Sequence, residues 1–403
     1  RTRSKNNWGR LGMKSEWKTV ELSDVIIDIA AGPFGSNLKV SCFVPYGFPI
    51  IDGANLKGFK VIDNVTKFVT EEKARSLARS IAKRGDVVVT ISGTLGQIAY
   101  IPQDSEFPEY LCSQRQFRVT FDESRVYVPY LVFYFHTYEG QNKILSFANQ
   151  TGVPALSQPL KNFKKIIVNL PDLQTQKKIA KVIEDLNDKI TLNNKINDNL
   201  EQQALELFSN YQKVTDEKIC FTDVIQILGG GTPKTKESAY WDGDIPFFTP
   251  KDVGCPYTIS TEKTITEDGL NHCNSRLYPV NTVFVTARGT VGKVCMPGVP
   301  MAMNQSCYAL VGKNLHQLMV YFYTLATVER LKHKASGAVF DAITTRDFSS
   351  EYINRLSEQD EKSFLKIVEP MFQMMLSNIF ENKKLENLRD TLLPKLMAGE
   401  LAV

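Results

Sequence analysis

The chain has 403 residues, 43% of them hydrophobic and 23% charged, with a formal net charge of +4. That is enough apolar material to bury two ordinary cores, and no apolar run approaches the roughly 18 residues that a membrane span needs. Seven cysteines without a Cys-x-x-Cys pair point to reduced thiols, and so to a cytoplasmic protein rather than a disulfide scaffold or a zinc module.

Residues 1–12 are basic and poor in apolar side chains, and are expected to be an unstructured tail or an appended remnant. The next stretch, 13–171, mixes short β-branched runs with apolar helical segments. Asp86-Val87-Val88-Val89-Thr90-Ile91 ends at a glycine and reads as a strand entering a tight turn. Phe117-Arg118-Val119-Thr120-Phe121 alternates as a second strand, and 127–145 reads as a helix rich in aromatic residues. This is an α/β domain with Gly- and Pro-rich loops.

The run after Pro171 changes period. Ile179, Ile183, Leu186, Ile190, Asn193, Asn197, Leu200, Ala204 and Leu207 recur at spacings of four and three, the a/d seam of a coiled coil. A long helix is expected over 172–212. An offset of 185 gives Phe364, Val368, Met371, Met375, Asn378, Asn382, Leu385, Arg389 and Leu392, so all positions but Arg389 keep their class. The two asparagines recur at the same places inside an otherwise apolar seam. A second helix is expected over 357–403, with a kink or a late start at Pro370. Antiparallel packing would set Asn193 beside Asn382 and Asn197 beside Asn378 as register-fixing pairs.

The repeat extends to the residues between the helices. Val20-Glu21-Leu22-Ser23-Asp24-Val25-Ile26 is echoed by Ile219-Cys220-Phe221-Thr222-Asp223-Val224-Ile225. Val89-Thr90-Ile91-Ser92-Gly93-Thr94-Leu95-Gly96 is echoed by Val285-Thr286-Ala287-Arg288-Gly289-Thr290-Val291-Gly292, and Thr151-Gly152 by Ser336-Gly337. Residues 213–356 therefore form a second α/β domain, with a helix expected over 315–331. A period near 190 residues means duplicated domains, not a solenoid. The two domains, 13–171 and 213–356, carry net charges of +3 and +1, whereas both helices carry −2. A duplex bearing a charge about every 1.7 Å would favour the domains, and protein partners the helices.

The loops hold the candidate DNA contacts. Ser92, Thr94 and Gln97 in the first copy answer Arg288, Thr290 and Lys293 in the second, each set beside glycines that permit close backbone approach. Gln114, Arg115, Asn304 and Gln305 supply groups of the kind that address adenine or guanine edges. Lys234, Lys236 and Lys251 add cations in the second copy, where Trp241 is expected to serve the core more than to stack on bases. A catalytic constellation is not found. The glycines at 229–231 do not make a Walker loop, and His136, His272, His316 and His333 lack metal-ligand spacing, so neither a metal nor a catalytic residue is expected. Pro171-Asp172 is a helix start rather than a nuclease motif.

Four stretches resemble a known family. Leu170-Pro171-Asp172-Leu173-Gln174-Thr175-Gln176-Lys177-Lys178-Ile179 and Asp188-Lys189-Ile190-Thr191-Leu192-Asn193-Asn194-Lys195-Ile196-Asn197 are similar to the central conserved helix of type I restriction-modification specificity subunits. Gly230-Gly231-Thr232-Pro233-Lys234, with Trp241, Ile245-Pro246-Phe247 and Pro250-Lys251-Asp252, resembles the start of a target recognition domain of that family. Leu392-Leu393-Pro394-Lys395-Leu396-Met397-Ala398-Gly399-Glu400-Leu401 resembles its C-terminal ending. Thr175 stands where that family usually has Glu. The resemblance implies two target recognition domains separated by two conserved helices that form an antiparallel coiled coil. It implies a non-catalytic chain that reads a bipartite double-stranded DNA target, with the helices setting the spacing. It also implies docking of two methyltransferase (modification) subunits that carry S-adenosylmethionine, and ATP-driven restriction subunits joining through the complex. The chain itself would hold no cofactor. Two other readings stay open: the recognition subunit of another multisubunit restriction-modification class, and a coiled-coil scaffold that does not bind DNA.

Overall fold

The computed structural model describes residues 17–149, 153–213, 215, 217–254, 256–334, 342–401 and 403. The tail 1–12 and the repeated pair Thr151-Gly152 and Ser336-Gly337 lie outside the described residues. The chain divides into two compact units, Arg1–Asp188 with Glu386–Val403, and Lys189–Leu385.

In the first unit the strands Ile26–Ala31, Gln116–Phe121, Val87–Thr90 and Ile98–Tyr100 lie side by side in that order, and each neighbouring pair is antiparallel. Every residue of Val87–Thr90 is buried, which is why its β-branched run is continuous rather than alternating. A second sheet brings Phe48–Ile51 parallel to Glu109–Cys112, pairing Ile50 with Leu111. Lys18–Glu21 closes the unit by pairing with Ile167–Leu170.

The second unit repeats this plan. Ile225–Gly229, Cys307–Gly312, Val283–Thr286 and Val294–Pro297 take the same order, with Tyr257–Thr258 added at the edge. Trp241–Phe248 runs parallel to Ala302–Met303, pairing Phe247 with Ala302, and Lys218–Cys220 pairs with Tyr352–Asn354. The duplication read from the sequence is thus a duplication of topology and register.

The helices depart from expectation in two places. The segment 127–145 forms two helices, Val128–Phe135 and Tyr138–Leu145, because Thr137 starts a new helix by accepting the Gly140 amide at 3.1 Å. Gly140 also lies so close to the preceding turn that an added Cβ would sit 2.2 Å from the Tyr134 carbonyl oxygen. In the second unit, by contrast, Gln317–Lys334 is continuous. The long helices span Leu173–Lys213 and Glu358–Met397. Asp172 and Ser357 begin them in the same way: Thr175 N donates to Asp172 at 3.0 Å and Asp360 N to Ser357 at 3.1 Å.

The second helix passes through Pro370 without ending there. Phe364, Val368, Phe372 and Met375 around the proline are fully buried in the core of the second unit. Burial of four large side chains outweighs the roughly 3 kcal/mol that an interior proline costs. Within the second unit the two helices run in opposite directions. Asn193 Nδ2 donates to Asn382 Oδ1 at 2.8 Å, Asn378 Nδ2 to Asn197 Oδ1 at 2.8 Å, and the Phe208 ring packs at a tilt against Phe364. In the first unit Ile179 and Ile183 share a core with Leu393 and Leu396, and Arg389 donates to Asn187 at 3.0 Å. The charged residue of the seam, Arg389, also lies 5.6 Å over the Phe59 ring. Among the described residues no helix is long and apolar enough to cross a membrane.

Candidate nucleic-acid interface

Each unit turns its chain sharply where the best-matched loop leaves the central strand. Gly93 and Gly96 take φ of +96° and +85°, and Gly289 and Gly292 take +81° and +73°. L-residues reach that region only with strain, so glycine is required at both ends of both turns. Leu95 N donates to Gly93 O and Val291 N to Gly289 O, both at 3.0 Å. A following segment holds each turn from outside: Gly93 N donates to Pro154 O, and Ile343 N to Ala287 O. The two loops are structural equivalents.

Each turn forms one wall of an open cleft, of about 520 Å³ in the first unit and about 480 Å³ in the second. The first cleft gathers Ser92, Thr94, Gln97, Gln114 and Arg115, all five of the candidates placed in that copy. The second gathers Lys251, Arg288, Thr290 and Asn304. Arg115, Lys251 and Arg288 are exposed, which leaves their charge available to a partner. Lys234, Lys236, Lys293 and Gln305 do not line the second cleft. Lys293 lies on the helix side of the turn, near Lys332. Burial, and then the charge of Lys293, hold the Lys332 ammonium below its ordinary pKa.

Some candidates are already engaged. Gln97 donates to Gly53 O at 3.0 Å and accepts from Thr90 at 3.1 Å, tying the turn to the neighbouring loop. Asn304 Oδ1 accepts the Ser306 amide at 3.0 Å, and Thr232 is hydrogen-bonded to Gln305. Trp241 is half-buried: it packs edge-on to Phe247, donates to Lys234 O at 3.2 Å, and carries Lys263 over its ring at 5.5 Å.

Sequence reading missed two lysines. Lys67 lines the first cleft and Lys263 the second. Ile50 N donates to Lys67 O, and Phe247 pairs in register with Lys263, so both lysines sit opposite the same position of the duplicated parallel strand. Their sequence spacing differs between the copies, and only the register of the folded sheet reveals the match. Lys67 pairs with Asp52 at 2.6 Å. Burial pushes the Asp52 carboxyl up, but the bonds from Lys67 and the Ala54 amide outweigh it and bring the group below the usual carboxylate range. Cations outnumber carboxylates in both clefts: Lys67 and Arg115 against Asp52, and Lys251, Lys263 and Arg288 against Glu262. Among the described residues no cluster of His, Cys, Asp or Glu could hold a metal ion.

The duplicated units match a known domain twice. A family model for the type I restriction modification DNA specificity domain matches residues 14–202 and 214–387. The chain belongs to this family. The HindI specificity subunit of Haemophilus influenzae is 23% identical over 408 residues, covering 80% of this chain and 88% of that protein. The MjaIX specificity subunit of Methanocaldococcus jannaschii is 28% identical over 171 residues, 41% of this chain and only 38% of that protein. A crystal structure of the type I restriction-modification S subunit from M. genitalium covers 96% of this chain and 97% of that one with a TM-score of 0.57 at 16% identity, a likeness of fold. Type I specificity subunits recognise target DNA, are not themselves catalytic, and work in a complex with other subunits.

Proposed function

We propose that this specificity subunit reads a bipartite DNA sequence, one half-site at each cleft. The recognition domains are 13–171 and 213–356, and the helices 172–212 and 357–403 set the gap between the half-sites. The observation that carries this reading is the pair of cation-rich clefts built on equivalent Gly turns, which offers the same kind of contact surface twice in one chain. Arg115 and Arg288 address base edges, while Lys67, Lys251 and Lys263 neutralise phosphates. Ser92, Thr94, Gln114, Thr290 and Asn304 add hydroxyl and amide contacts. Lys234, Lys236, Lys293 and Gln305 act outside the clefts, on flanking backbone.

The acidic helices dock two modification subunits, which bring S-adenosylmethionine and methylate adenine. Restriction subunits join through that complex in the cytoplasm. The chain's own residues bind, orient and space the duplex. Selection of bound duplexes by the assembled complex with its modification subunit tests the reading. Two short conserved blocks separated by an unspecified gap are expected, and a single continuous block or no sequence preference would contradict it. A partner polypeptide carrying both nuclease and methylase motifs would instead favour the other multisubunit class.

A further inference from the structure

The cleft of the first unit is bordered by a loop that exposes large apolar side chains. Phe34 is 83% exposed and Val40, in the cleft wall, is 80% exposed. An exposed phenylalanine forgoes the stabilisation that burial would bring, so its position calls for an explanation. Phe34 is held on both sides. Gly32 N donates to Gln116 O at 2.8 Å, and Pro33 is buried. On the other side, a Cβ added to Gly35 would lie 2.6 Å from Gln114 Oε1. The backbone at Phe34 is therefore held one residue away from a contact with a cleft side chain.

The second unit builds the same loop with different chemistry. A Cβ on Gly230 would lie 2.1 Å from Asn304 O, as one on Gly32 would lie 1.8 Å from Ser113 O, and after Gly231 and Thr232 a buried Pro233 is followed by the exposed Lys234. Asn37 N donates to Phe34 O at 2.8 Å and Glu237 N to Lys234 O at 3.1 Å, so both residues open an equivalent turn. The same position carries an apolar ring in one copy and an ammonium group in the other.

We infer that Phe34 is a wedge that enters the duplex between stacked bases of the first half-site, whereas Lys234 grips a phosphate at the equivalent place in the second. The inference rests on the DNA-reading role proposed above. Apolar side chains that part a base step bury their surface and deform the duplex, and a lysine on the backbone releases a counterion. The first half-site is thus selected partly by how readily one step unstacks, and the second by charge and base edges.

The test uses the assembled complex with its modification subunit and target duplexes carrying 2-aminopurine at successive positions of the first half-site, the methylated adenine excepted. A fluorescence rise on binding is expected at one step. It should be lost in Phe34→Ala, with affinity down roughly tenfold, and kept in Phe34→Leu, since leucine also serves as a wedge. Phe34→Ala should leave the slope of log affinity against log salt unchanged, while Lys234→Ala should reduce that slope by about 1. Unchanged affinity and fluorescence in Phe34→Ala, with target binding intact, would overturn the wedge alone. A wild-type complex that binds no duplex with sequence preference would overturn the DNA-reading role and the wedge with it.

Discussion

Arg288 follows a buried strand, precedes a positive-φ glycine, and is exposed at the second cleft. If it reads a base, Arg288→Ala should cost about 1–3 kcal/mol of binding and relax one position of one half-site. A binding profile with the same motif and affinity would remove it from the interface. Gln97 is expected to behave differently, because both ends of its amide are hydrogen-bonded within the unit. Gln97→Ala should lower stability by about 1 kcal/mol and leave the recognised bases alone, which thermal melting beside a methylation assay would separate. The Asp52–Lys67 pair adds a pH argument. The Asp52 carboxyl lies below its unfolded value, so its stabilising effect is complete above about pH 4 and is lost only as pH falls through the lower folded value. Between pH 5 and 8 it stays charged and partly masks Lys67. Asp52→Asn should therefore strengthen non-specific DNA binding at low salt, and an unchanged affinity would show that Lys67 does not face the duplex.

At the scale of elements, the heptad seam was the most legible part of the chain. None of the a/d positions of the seam in either helix is exposed, and the asparagine pairs occupy opposed positions as antiparallel packing requires. The pair also recruits neighbours: Asn382 donates to Asn194 at 2.8 Å and Asn193 to Glu381 at 2.7 Å. Replacing Asn193 alone with Ala should destabilise the helices by leaving the Asn382 Oδ1 without its Asn193 donor, whereas Leu at both Asn193 and Asn382 should raise the melting temperature while loosening register. Melting curves with crosslinking across the seam would check both outcomes. Less legible were the break at 136–137 and the run through Pro370. The first is decided by the close approach of Gly140 to the Tyr134 carbonyl, the second by the apolar core around Phe364 and Phe372. Neither contact has a local sequence signature. Lys67 and Lys263 escaped notice for the same reason, since sheet register rather than spacing makes them equivalent.

The paired asparagines also say where the helices can be lengthened. Four residues forward in one helix corresponds to four back in the other, so Ile196-Asn197 faces Asn378-Ile379. One heptad inserted after Ile196 and another after Asn378 keeps both asparagine layers with their partners and the seam in phase. Sequence-equivalent sites, such as those after Gln202 and Asn387, would shift that register. The added length is about 10.5 Å, equal to roughly three base pairs at about 3.4 Å each. The unspecified gap in the methylated motif should grow while both half-sites stay unchanged. A folded, active double insertion with the original gap would show that the helices do not set the spacing.

For the whole molecule, duplication gives each unit its own sheet, its own Gly turn and its own cleft. All cleft residues of one unit come from that unit's own loops and strands. Readout should therefore be local. Which bases are read was not legible, because direct readout depends on where a few exposed side chains meet the groove. The most direct measurement is methylome sequencing of cells that express the complex with residues 217–350 exchanged for those of another family member. The expected result is a motif in which one half is replaced and the other half is identical to the original. A folded, active exchange that changes both halves, or neither, would contradict independent recognition by the two units.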